Sequence, residues 1–187
     1  MDVIFPLWLP IILSAVAVFL VSSIIHMVLP YHKSDFRKLP REEEVRDALD
    51  KAHIHKGEYM FPYATESKER KSPEFKEKMN NGPVGILTVF PSGSINMGSN
   101  LVMWFLYCIV VSIFAAYISG HALIPGAVSR AIFRFTGAAA FIGYSLALVQ
   151  DSIWFRKSWA TTFKSIFDGI IYALVTAVIF VWLWPAF

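Results

Sequence analysis

Residues 22–40 read SSIIHMVLPYHKSDFRKLP: apolar as far as Leu29, then Pro30, then a run in which Lys33, Arg37, Lys38 and, one residue on, Arg41 follow closely. This is the sequence of a membrane-spanning helix leaving the hydrocarbon. Proline stops the helix, and the basic side chains meet anionic headgroups. Upstream, the chain stays apolar from about Val3. At 1.5 Å per residue that run is long enough to cross ~30 Å of hydrocarbon. It has no basic leader and no small-residue cleavage site, so it reads as a retained helix rather than a signal peptide.

The rest of the chain extends the pattern. Of 187 residues, 56% are hydrophobic and 17% charged, against about a quarter charged in soluble domains. Between Pro30 and Ser99 lie twelve of the 17 Lys/Arg and eleven of the 14 Asp/Glu, leaving the remainder almost uncharged. Three further apolar segments, at about 101–119, 127–149 and 165–184, match the length of a membrane span. The expected fold is an all-α integral membrane protein. It has four transmembrane helices and a small α+β cytosolic insert between helices 1 and 2, dividing the chain at 1–29, 30–99 and 100–187. Signs nearly cancel in the polar segment, so no nucleic-acid partner is expected. The single cysteine, Cys108, rules out an internal disulfide or a CxxC site and reads as a small packed residue.

Lys/Arg bias sets an expected orientation. The 30–99 segment and the connection holding Arg156, Lys157 and Lys164 are basic. Asp2, GHALIPG (120–126) and the C-terminal PAF carry no Lys or Arg. Both termini are therefore expected outside and residues 30–99 in the cytoplasm, in a bacterial cytoplasmic membrane. Trp8, Trp182 and Trp184 then fall at the outer interface, and Trp104, Trp154 and Trp159 at the inner one.

Within the insert, REEEVRDALDKA places Val45, Ala48, Leu49 and Ala52 on one helical face, with Glu42, Glu43 and Glu44 at the positive end of the dipole. HIHKGEYMFPY (53–63) reads as extended. Ser72 followed by Pro73 is a cap with proline at the first helical position, predicting a second short helix. GILTVF, between turn signals, reads as a strand or a membrane-hugging loop.

Histidines are the first candidates for chemistry. His53 and His55 in a strand would put both rings on one side, a metal-ligand arrangement. His26 with Met27 and His32 offers imidazole and thioether donors of the kind that hold copper or haem iron. However, His26 and Met27 point about 100° apart on a helix, and Pro30 intervenes before His32. The opening stretch is therefore expected to be mainly a polar boundary, its headgroup contacts being Lys33, Arg37, Lys38 and Arg41, with Arg156 and Lys157 in the later connection. His53, His55 and His26 remain the metal candidates. No cofactor is predicted, with haem, pigment or metal left open.

Ionisable groups in membrane helices are functional candidates by default. Arg130, Gly137, Tyr144 and Asp151 recur every seven residues on helix 3, with Arg134 one turn from Arg130. Ser165, Asp168, Tyr172 and Thr176 form a second polar stripe on helix 4. With helix 4 starting at Ser165, Asp168 is expected in its first turn, where the dipole favours a carboxylate. Small residues repeat at Ala139, Gly143 and Ala147, and at Ser112, Ala115, Ala116 and Ser119, the spacing that lets helices approach closely.

No GxSxG, HExxH, P-loop or GxGxxG occurs, so no catalytic residue is expected. The leading expectation is a non-catalytic integral membrane subunit that assembles with or stabilises a larger complex, in contact with lipids and other membrane subunits. The alternatives are a small transporter or ion- or proton-conducting protein using the polar faces of helices 3 and 4, and metal or haem handling.

Overall fold

The computed structural model of the protein describes residues 4–94 and 96–185. Asp2, Ala186 and Phe187, which enter the charge balance of the termini, lie outside the described residues. Among the described residues the chain is mostly helical, with four helices long and apolar enough to cross a membrane and one two-stranded sheet. It divides into two compact units. One takes the residues up to Phe36 and from Asn96 onward; the other begins at Arg37 and takes in the intervening segment.

The first unit is a bundle. Its first long helix, α1 (Trp8–Val28), comes after a 3-10 turn at Phe5–Leu7. Pro10 lies in its first turn, where a missing N–H costs no helical hydrogen bond. The second unit contributes α2 (Glu42–Lys51), β1 (Gly57–Phe61), α3 (Ser67–Arg70), α4 (Pro73–Asn81) and β2 (Gly85–Val89). The bundle resumes with α5 (Met97–Ala122), α6 (Ser129–Phe141), a π-helical segment at Ile142–Leu146, α7 (Leu148–Trp154) and α8 (Trp159–Trp182). The long helices close a ring in which α1 packs on α5, α5 on α6, α6 on α8, and α8 on α1.

Small residues decide how tightly that ring closes. Ser112, Ala115, Ala116 and Ser119 are all fully buried inside the bundle, as are Ala15, Ala140 and Ala177. A Cβ on Gly143 would come within 2.8 Å of Val111 Cγ1, so α5 and the π segment meet there almost backbone to side chain. The serines also close polar contacts: Ser14 Oγ donates to Pro10 O at 2.7 Å and lies 3.0 Å from Ser112 Oγ.

Two helix-level expectations need correction. First, α8 begins at Trp159, not Ser165, so Asp168 sits in the third turn, about 13 Å along the helix. The helix starts earlier than the apolar run does, because polar side chains of its first turns find partners: Thr162 bonds Ser152, Ser165 donates to Thr161 O, and Lys164 reaches Tyr31 O, Ser34 and Asp35. Second, the π segment inserts an extra residue into the turn. The helix beyond it is rotated, so the buried face passes from Ala139 and Ala140 to Tyr144 and Ser145, leaving Gly143 half-buried and Ala147 exposed. Within this segment the Gly143 carbonyl accepts from the Tyr107 hydroxyl. Along this stretch Arg130 is exposed, Tyr144 buried and Asp151 half-buried. Trp104 is half-buried, its indole N–H donating to Ser22 Oγ at 2.8 Å, whereas Trp154 and Trp159 are exposed.

In the second unit, β1 and β2 pair antiparallel with Tyr59 opposite Leu87 and Met60 opposite Ile86. α4 is capped as its sequence demands, Ser72 Oγ accepting from Phe75 N at 3.1 Å. Among the described residues of this unit only Ala64 is buried.

Candidate functional site: a buried carboxylate and its histidines

The end of α1, the turn after it and the third turn of α8 converge on Asp168, which is 3% exposed. The chain gets there because Pro30 does more than stop the helix. Leu29 is extended (φ −81°, ψ 133°), and residues Pro30–Ser34 then wind into a 3-10 turn with Pro30 at its start. This turn folds Tyr31 and His32 back towards the bundle instead of letting them run out along the helix axis.

Both oxygens of Asp168 are engaged. The Tyr31 hydroxyl donates to Oδ1, and His32 Nε2 lies 2.8 Å from Oδ2. The other imidazole nitrogen, His32 Nδ1, lies 2.6 Å from Asp35 Oδ2. An ionised carboxylate only accepts, so a ring held between two of them needs a proton on each nitrogen or on one carboxyl. Asp35 is in turn fixed by α8: Lys164 Nζ donates to its Oδ1 at 2.8 Å, and also to Tyr31 O at 2.6 Å and Ser34 Oγ at 2.7 Å. Lys164 and Asp168, four residues apart on one helix, thus grip the whole 30–35 turn.

The electrostatics arise from these contacts. Burial alone would push the Asp35 carboxyl up, but hydrogen bonds from Lys164 and His32 outweigh it and hold the group below the usual carboxylate range. Burial, then the bond to Asp168, pushes the Tyr31 phenol well above its ordinary value, so it stays protonated and donates.

His26, in the last turn of α1, completes the group. Its ring stacks obliquely on His32 with centroids 4.5 Å apart. One donor atom each from His26, His32 and Asp168 lie within 4.8 Å of one another, and among the described residues this is the one trio of metal-ligating side chains. Deeper in the bundle, Tyr172 lies one turn of α8 beyond Asp168 and packs edge-on against Tyr144, centroids 5.5 Å apart. The hydroxyls of Tyr172 and Tyr144, and Oγ1 of Thr136, are buried with no hydrogen-bond partner among the described residues.

The residues singled out from sequence separate cleanly. Asp168, Tyr172, Tyr144 and His26 belong to this region. Arg130 and Arg134 are exposed; Asp151 makes a partly exposed ion pair with Lys157 at 3.7 Å; Arg156 is exposed. Lys33, Arg37, Lys38 and Arg41 are exposed as well, Arg41 pairing with Glu44. His53 and His55 are exposed and precede β1. His53 adopts a left-handed backbone (φ 52°) just past α2, so the expected in-strand pairing of the two rings does not form. The expectation that Pro30 would keep His32 away from His26 is overturned, since the 3-10 turn stacks the two rings. Tyr31, Asp35 and Lys164 were not expected to join a site. The available signal was the HKSD turn directly after an apolar run, opposite a Lys and an Asp four apart at matching depth on the last helix.

No family model, curated protein or solved structure matches the chain.

Proposed function

We propose that the chain is an integral membrane protein that moves a proton or small cation by way of Asp168. In this reading the four long helices lie in the bilayer, with the basic connections, residues 30–99 included, on the cytoplasmic side, as Lys/Arg bias would have it. The observation that carries the proposal is a carboxylate buried in a span, engaged by Tyr31 and His32, with unpartnered hydroxyls beyond it. Isolated charge in hydrocarbon is costly, and carboxylate–histidine chains in spans mark proton and ion relays. A proton entering at the exposed rim reaches His32 through Asp35 and passes across the ring to Asp168. The buried hydroxyls of Tyr172 and Tyr144 lie beyond it, and each would relay a proton by exchanging it for its own.

Purified protein reconstituted in liposomes carrying a pH-sensitive dye tests this. Under an imposed potential, proton uptake should exceed that of protein-free vesicles, and Asp168→Asn should return it to that background. Uptake by the wild-type protein no faster than in empty vesicles overturns the proposal.

A second reading, a non-catalytic subunit of a larger membrane assembly, rests on a different observation. In the hairpin, Met60 and Ile86 stand opposite one another and are both exposed, with Phe90 74% exposed nearby in sequence. Of the small residues that suggested close association from sequence, Ser112, Ala116 and Ala139 are buried inside the bundle, while Ala147 is exposed. Native mass spectrometry of gently extracted protein checks it: a co-purifying chain lost on Met60→Ser/Ile86→Ser supports the subunit reading, and a bare chain removes it.

A further inference from the structure

We propose that His26, His32 and Asp168 form a binding site for one divalent transition-metal ion. This inference names the cation for the Asp168 site and rests on the reading of Asp168 as a cation-handling group. Two imidazoles and one carboxylate are a donor set suited to zinc and its neighbours, whereas magnesium prefers oxygen ligands throughout.

The geometry goes beyond three donors that happen to be close. Imidazole ligands are held by a hydrogen bond from their second nitrogen to a carboxylate, which fixes the tautomer and aims the free nitrogen at the metal. His32 has that partner: Nδ1 lies 2.6 Å from Asp35, leaving Nε2 to face Asp168. Asp35 is itself anchored by Lys164. Asp168 is equally prepared, since the Tyr31 hydroxyl occupies Oδ1 and leaves Oδ2 on the side of His32. His26 makes no hydrogen bond among the described residues and is exposed, so its ring is free to turn onto an incoming ion.

Metal–ligand bonds of about 2.1 Å at tetrahedral angles put donors about 3.4 Å apart. The His32 Nε2–Asp168 Oδ2 pair, at 2.8 Å, therefore opens by about half an ångström as the ion enters, and His26 closes in. The ion replaces the proton between His32 Nε2 and Asp168, so binding releases a proton to solvent. The remaining positions on the metal, on the exposed His26 side, are left to water.

Titration of the purified, chelator-stripped full chain in detergent with zinc chloride, monitored by calorimetry and by elemental analysis after desalting, tests the site. One zinc per chain should be retained, with proton release seen as a buffer-dependent heat and no uptake of magnesium. His26→Ala, at an exposed position that makes no hydrogen bond among the described residues and only stacks on His32, should weaken binding at least tenfold with little shift in the thermal unfolding of the metal-free protein. Asp35→Asn should weaken it roughly ten- to a hundredfold through His32. His53→Ala/His55→Ala should leave it unchanged. Equal zinc affinity in wild type and His26→Ala, or loss confined to the His53/His55 variant, overturns the site. Zinc binding without proton or zinc flux in vesicles keeps the site and sinks the transport reading; proton flux in protein that binds no zinc does the reverse.

Discussion

The two ends of the bundle are built from the same four helices and solved differently. At one end Leu7, Ile11, Ala116, Ile132 and Phe180 pack into an apolar cluster, with Phe180 wholly buried and Trp184 donating its indole N–H to Ile124 O at 3.2 Å. At the other, the same α1 and α8 bring together Tyr31, His32, Asp35, Lys164 and Asp168. Apolar packing satisfies a helix end at no desolvation cost, whereas a buried ionic network gains little over a hydrophobic one of the same shape and loses much if one member is removed. The polar end is thus the more fragile way to close a bundle. Its presence beside an apolar end that needs no such network is what directs attention to chemistry there.

The largest effect should come from breaking the apolar end. Phe180→Ala removes the largest fully buried side chain and should cost about 3–5 kcal/mol, read from chemical or thermal unfolding in detergent. A loss below about 1 kcal/mol would mean that this cluster does not hold the helices, and the contrast between the ends would fail.

A smaller loss is expected at the polar end, and its pattern matters more than its size. Asp168→Asn keeps one acceptor oxygen for either Tyr31 or His32 and turns an amide donor towards the other, and should cost about 1–3 kcal/mol. His32→Leu combined with Asp168→Leu should cost less than the two single leucine changes added together, because the contact they share is lost only once, while Tyr31 and Asp35 each lose a partner as they do in the singles. If the double variant instead costs the full sum or more, the two side chains are not coupled as the network requires, and its fragility no longer points to chemistry.

The mildest test uses acid. The Asp35 carboxyl titrates lower in the folded chain than in the unfolded one, so the folded state holds fewer protons there. Its pairing with Lys164 and His32, across whose ring Asp168 lies, contributes fully above about pH 4 and is lost as pH falls through the lowered value. The unfolding midpoint of wild type should fall more steeply below pH 4 than that of Asp35→Asn. Parallel curves would show that Asp35 is not held as the geometry requires.

How far this was legible beforehand differs by kind of feature. Four long apolar helices can be read from run length alone, and the cap at Ser72 from a local rule, because both depend on residues within a few positions of one another. The exposed positions of Lys33, Arg37 and Lys38 are equally local. The failures have one cause. His53–His55 was given a strand that starts only at Gly57, and Ala147 a face that the π segment turns away, because one residue of shift at a turn redirects every side chain after it. Asp168 was placed in a first turn because hydropathy marks where a helix becomes apolar, not where it begins.

By itself, then, the sequence determined a mostly helical chain with four membrane-length helices, a charged insert, and small residues where helices must approach. Only the tertiary structure decided that Tyr31 and Asp168, 137 residues apart, share a hydrogen bond, and that His26 and His32 stack across a proline. Hydrophobic length is a sum over neighbours in sequence and can be read along it. A site is a coincidence of directions in space, set by where a turn folds back and how helices rotate as they pack, and no local sum contains it.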